Sequence, residues 1–119
     1  MDGEPGNLEK WRSQMRKGFL ELCVLDLVAA KGEAYGLDLM ESLRGLGLEV
    51  SEGTLYPLLM RLGREGTLAA VWETPDRGHP RKYYRLSGEG ERSLTSMRQE
   101  YEAAYSAYRS IAAGGGEAQ

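Results

Sequence analysis

SEGTLYPLLMRLGREG, residues 51–66, opens on a serine and closes on a glycine, the residue types that begin and end helices. Leu55, Leu58, Leu59 and Leu62 fall at i, i+3, i+4 and i+7, which is one narrow apolar stripe on a helix. The reverse side of the same wheel presents Gly53, Pro57, Met60 and Arg64, flanked by Tyr56 and Arg61. An interior proline costs a helix about 3 kcal/mol, because it loses one hydrogen bond and crowds the carbonyl four residues back. Here that position is Gly53, which has no side chain to add to the crowding. The stretch therefore predicts a short helix with one buried stripe and a bare, small-residue entrance.

Working outward, residues 8–31 predict a helix, bent at Gly18, whose second half (GFLELCVLDLVAA) is apolar almost all round and so buried. A break at Gly32 precedes a second helix from about Tyr35 or Gly36 to Leu46, with Leu39, Met40 and Leu43 on one face and Gly45 and Gly47 as its stop. Downstream, TLAAVWE (67–73) puts Leu68, Ala70 and Trp72 on one strand face, and PRKYYRL (80–86) is a second strand. TPDRGH (74–79) between them is turn-forming, giving a two-stranded hairpin with a basic tip and return strand. Ser87 caps a last helix to about Ala112, roughly 37 Å long at 1.5 Å per residue. Three helices, a hairpin and a long helix predict a mainly α, α+β winged helix. The domain plan is a winged helix-turn-helix at 8–86, a dimerisation helix at 87–112, and disordered polar tails at 1–7 and 113–119.

A chain of 119 residues holds one domain and buries a modest share of its surface, so pairing with a second copy is the default expectation. The formal net charge is −3, which carries no global mark of nucleic-acid binding. The charges are segregated, however. Lys10, Arg12, Arg16 and Lys17 form one acid-free basic run, and Arg77, Arg81, Lys82 and Arg85 form another. Residues 33–52 between them hold five acids and one base. Such segregation permits a basic face on an acidic molecule. A single cysteine excludes an internal disulfide and favours a reducing compartment. Neither a secretory leader nor a membrane span is legible, so a soluble cytoplasmic protein is expected.

The second and third helices, joined by a glycine-marked turn, form the helix-turn-helix. Such a unit lays its second helix in the major groove with its N-terminal end toward the bases. Ser51, Gly53 and Thr54 allow close approach, and free amides at the helix start favour phosphate. Tyr56, Arg61 and Arg64 are long enough to reach phosphates or base edges. An ordinary amphipathic helix with a solvated polar side would show the same pattern. Arg77, His79, Arg81 and Lys82 on a protruding hairpin suit a sugar-phosphate backbone, although loop tips also collect solvated charge. The basic run at 10–17 reads either as a further phosphate contact or as a solvated helix face.

On the last helix, Leu94, Met97, Tyr101, Ala104, Tyr108 and Ile111 are spaced 3, 4, 3, 4, 3, a short heptad seam. It runs past anything the small core can cover, so its expected partner is another subunit, with Phe19 of the first helix also in the interface. Tyrosines are unusual in a seam. Met15, Phe19, Tyr101 and Tyr105 could line an aromatic pocket at a dimer centre, or simply form a bland interface.

Chemistry finds little support. His79 is the only histidine, and Cys23 lies in the most apolar helix, where a buried inert thiol is expected. One cysteine and one histidine are too few for a thiolate metal site, and Gly88-Glu-Gly90 lacks the context of a dinucleotide loop. No enzyme, metal or cofactor is expected. A winged-helix module that bridges proteins without binding DNA is the competing reading, against which the basic hairpin argues.

Three stretches together resemble the PadR-like transcriptional regulators: GEAYGLDL (32–39), SEGTLYPLLMRLGREG (51–66) and RKYYRLSGEG (81–90). The resemblance covers about residues 10–112 and accounts for Pro57 as a fixed feature of the recognition helix. It implies a cytoplasmic homodimer that represses transcription from an inverted-repeat operator. By similarity Ser51, Thr54, Tyr56 and Arg61 take recognition-helix positions, Arg77, Arg81 and Lys82 the wing, and the first and last helices the dimer interface. With one terminal helix the chain resembles the short subfamily, some members of which bind flat aromatic drugs or phenolics between subunits. Tyr101 falls about where those members place aromatic contacts. Leu37, where an aromatic or similar residue often follows Tyr35-Gly36, departs from the pattern in a way expected to affect packing only, and the tip TPDRGHP departs in a way that leaves the wing contacts open.

Overall fold

The computed structural model describes residues 5–74 and 78–114; the expected tails at 1–4 and 115–119, and Arg77 in the hairpin turn, lie outside them. The elements run α1 (Leu8–Lys31), β1 (Ala34–Tyr35), α2 (Gly36–Gly45), α3 (Glu52–Arg64), β2 (Leu68–Glu73), β3 (Arg81–Leu86) and α4 (Gly88–Ala112). This is the expected winged-helix arrangement. Helix α1 passes through Gly18 as one helix, and the expected tail residues 5 and 6 lead into it, with the Leu8 amide donating to the Pro5 carbonyl at 3.1 Å.

The helices are stitched by their leucine stripes. Leu22, Val24, Leu25 and Val28 of α1 meet Leu39, Met40 and Leu43 of α2 and Leu55, Leu59 and Leu62 of α3 in one core. Leu68, Tyr84 and Ala34 close it from the sheet side. Ser51 is the extended residue before α3, and Gly66 ends that region in the left-handed conformation, φ 83°. Pro57 sits inside α3, as expected.

The sheet has three strands, in the order β1-β3-β2, where a two-stranded hairpin is read from the sequence. Ala34 and Tyr35 pair with Tyr84 and Tyr83. Two residues are too short to carry a period, so only the partner strand makes them a strand. In β2 the expected apolar face is only partly buried: Leu68 is in the core, whereas Ala70 and Trp72 are exposed. The strand outruns the helices beneath it.

Ser87 forms the joint between sheet and α4. Its hydroxyl accepts from the Gly90 amide at 2.9 Å and lies 2.5 Å from the Gly66 carbonyl, to which it donates. Gly90 is buried hard against the Thr67 carbonyl.

The seam on α4 divides in two. Leu94 is 3% exposed in the core of its own chain, which leaves it no surface for a partner, and Met97 is half-buried against that core. Asp26 of α1 and Arg98 form an ion pair at the point where α4 leaves the body. From residue 99 onward every described position on α4 is exposed, including Ala104.

Candidate nucleic-acid interface

Helix α3 buries its leucine stripe and leaves Ser51, Gly53, Thr54, Pro57, Met60 and Arg64 outward. The Ser51 hydroxyl donates to the Thr54 hydroxyl at 3.2 Å, so two small polar groups sit together at the helix entrance. Arg64 is exposed, with no ion pair or hydrogen bond among the described residues. The bare entrance expected from Gly53 is present, since a Cβ there would meet only the Ser51 hydroxyl at 3.8 Å.

Two residues expected to point outward are held elsewhere. Arg61 turns back to α1, donating to Glu21 at 2.7 Å and to Glu65 at 3.0 Å. The hydrogen bond to Glu21, then that to Glu65, raises the pKa of its guanidinium, which stays charged. The i, i+4 spacing shows the Glu65 contact in advance; Glu21 lies forty residues away and does not show. Tyr56 lays its ring on Gly36: a Cβ there would stand 2.8 Å from both Cζ and the hydroxyl oxygen. The residue as a whole remains 38% exposed.

On the wing, strand alternation separates the basic residues. Arg81 is exposed on the outer face with its guanidinium 4.9 Å above the Tyr35 ring, and Tyr35 meets Tyr83 edge-on at 5.3 Å. Lys82 takes the helix-side face, its ammonium 5.5 Å above the Tyr84 ring, directly opposite Trp72. Arg85 is exposed on the outer face and His79 is exposed beside the turn. Tyr35, Tyr83 and Trp72 carry no site role in the sequence pattern. The alternation of β3 could have shown that Arg81 and Tyr83 share a face.

A groove of about 670 Å³ lies between α1 and the turn into α3. Arg16 and Lys17 line it together with Ser51 and Thr54, over a floor that includes Leu20, Leu48, Val50 and Leu58. The basic run on α1 is thus brought beside the entrance of α3. Glu9 and Glu49 also line the groove, and Glu9 pairs with Arg12 at 2.5 Å.

The aromatic candidates form a stripe. Phe19 meets Tyr101 at 5.6 Å, Tyr101 stacks on Tyr105 at 6.2 Å with the rings 3° apart, and Tyr108 continues the row. Met15, Tyr101 and Tyr105 are 43–47% exposed, which makes an open surface and not a closed pocket within one chain. Cys23 is half-buried in α1; burial, then the nearby Asp26, pushes its thiol pKa up. Among the described residues no group of three or more His, Cys, Asp or Glu is placed to hold a metal ion. No helix among them is long and apolar enough to cross a membrane.

The profile of the transcriptional regulator PadR-like family matches residues 24–96. The transcriptional regulator Rv3488 of Mycobacterium tuberculosis is 39% identical over 74 residues, 62% of this chain and 68% of that protein. A crystal structure of a PadR-like transcription factor from Bacteroides fragilis is 40% identical, with a TM-score of 0.73 over 86% of this chain and 98% of the other. A PadR family transcriptional regulator from Eggerthella lenta is 32% identical, with a TM-score of 0.78 over 87% and 90% of the two chains.

Proposed function

Because the chain belongs to the PadR-like family of transcriptional regulators, we propose that it is a repressor that binds double-stranded DNA as a homodimer. The observation that carries this reading is the juxtaposition of three features on one chain. They are the small, exposed entrance of α3, the Arg16–Lys17 turn of α1 across the groove these two share, and the basic hairpin, whose Arg81 lies over Tyr35, next to the Gly36 on which Tyr56 of α3 packs.

Ser51, Thr54 and Arg64 face the major groove, the Tyr56 hydroxyl reaches a phosphate, and Arg81 and Lys82, with Arg77, follow the backbone. Arg61 serves instead as the tie that sets α3 on α1. Residues 8–86 act as the DNA-binding head, and α4 carries the self-association surface through Tyr101, Ala104, Tyr108 and Ile111, with Phe19 opposite. Two heads then meet the halves of an inverted repeat about 34 Å apart. The protein works in the cytoplasm, where its DNA is.

The open tyrosine stripe supports a regulatory extension. A second copy closing over Met15, Phe19, Tyr101 and Tyr105 creates a slot for a flat aromatic effector, which releases DNA by favouring one separation of the heads.

The test is a salt titration of affinity for the DNA upstream of its own gene. Substituting Arg81 and Lys82 together with alanine should weaken every duplex alike and flatten the salt slope by about two phosphates' worth. Unchanged affinity sinks the wing assignment. Failure of any duplex to bind favours the protein-bridging module.

A further inference from the structure

Trp72 is 66% exposed on β2. Strand alternation puts it on the same side of the sheet as Leu68, which is buried against the helices. Four residues farther along, the strand has outrun that core, and the indole emerges beyond it. Lys82 stands directly opposite in register. Arg81 and Arg85 are exposed on the reverse side of the neighbouring strand, and the acid on β2, Glu73, is opposite Arg81. The result is a large apolar plate at the protruding end of the hairpin, with Lys82 beside it on its own face and Arg81 on the reverse face of the same end.

That combination selects its partner by charge and by shape. The edge of a duplex offers flat, apolar deoxyribose faces set between phosphates, so one surface supplies both the apolar contact and the anions. An indole brings a broad face, little conformational freedom and one N–H donor suited to a phosphate oxygen. We propose that Trp72 packs on the deoxyribose-phosphate edge of the strand that the wing follows, with Lys82 on the adjoining phosphate. The proposal rests on the DNA-binding reading above. Contacts to sugar and phosphate position a protein without reading sequence. Trp72 therefore adds affinity equally on all duplexes. Being uncharged, it releases no counterion and leaves the salt slope alone.

Trp11 and Trp72 are the two tryptophans, so Trp11→Phe leaves Trp72 as the sole tryptophan of the full-length protein, excited selectively at the red edge over the seven tyrosines. Binding of a mixed-sequence labelled duplex is followed by anisotropy, and Trp72 emission is recorded in the same titration. The expected result is an emission change that tracks binding. In addition, Trp72→Ala should lose about tenfold in affinity on every duplex, about 1.4 kcal/mol, at an unchanged salt slope. Trp72→Phe should recover most of that loss. Binding with flat Trp72 emission, or an unaffected Trp72→Ala variant of native circular dichroism, overturns the proposal and leaves DNA binding standing. An emission change on concentrating the protein alone, absent on adding duplex, places the indole against a second copy and also overturns it. If no duplex binds, the DNA-binding reading itself has failed and takes this proposal with it.

Discussion

Replacing Gly90 with alanine should damage the protein, while the same change two residues earlier should help it. A Cβ on Gly90 would stand 3.1 Å from the Thr67 carbonyl carbon, closer still to its oxygen, and 3.3 Å from Leu86 Cδ2. The obstacle is backbone, which cannot swing aside, so the start of α4 must retreat by on the order of an ångström. Overpacking of this kind costs about 1–3 kcal/mol. The retreat also pulls the Gly90 amide from the Ser87 hydroxyl, which it reaches at 2.9 Å, and losing a cap costs about 1 kcal/mol. Against this, alanine is better than glycine inside a helix by about 1 kcal/mol. The balance is a loss of about 2 kcal/mol, or roughly 8 °C in Tm for a chain of this size. At Gly88 a Cβ meets only the Arg92 guanidinium at 3.9 Å, so the propensity gain stands alone at about 0.5–1 kcal/mol. Thermal unfolding of both variants, at one fixed protein concentration because self-association shifts Tm, should give shifts of opposite sign. Equal shifts would refute the argument that the Thr67 carbonyl dictates glycine. The joint also sets the angle at which α4 leaves the head, so Gly90→Ala should disturb operator affinity more than its lost stability explains.

Further outcomes follow from the same geometry. Leu94→Ala should cost about 2–5 kcal/mol of stability, because Leu94 is core. Ile111→Ala, 72% exposed, should leave the fold intact and weaken self-association, read by sedimentation; an equal loss of stability in both would refute the division of the seam. Arg61 and Glu21 are both partly exposed, so a double-mutant cycle should return a coupling of about 0.5–1 kcal/mol, and no coupling would mean the tie contributes nothing. The raised Cys23 pKa makes the folded state hold a proton that the unfolded state has already lost as pH climbs through the thiol range. Stability should therefore decline from about pH 8 upward and level off once the folded thiol ionises too. Comparing Cys23→Ala with the parent isolates that contribution; an identical decline in both removes it.

Local signals in the chain were enough to place most of the fold. A leucine every third or fourth position, bounded by Ser51 and Gly66, defines α3 because helix period and stop residues are properties of neighbouring residues. The same holds for the hairpin and for Ser87 as a cap. The basic runs were legible as charge but not as a surface, since only folding sets Arg16 and Lys17 beside Ser51 and Thr54. Packing across long sequence separations decided the rest. β1 exists because Tyr83 and Tyr84 pair with it. Arg61 is held by Glu21, a helix away. The apolar row on α4 changes from core to open surface after Met97, because the row states that a face is apolar and only the body of the protein determines how far along the helix that face is covered.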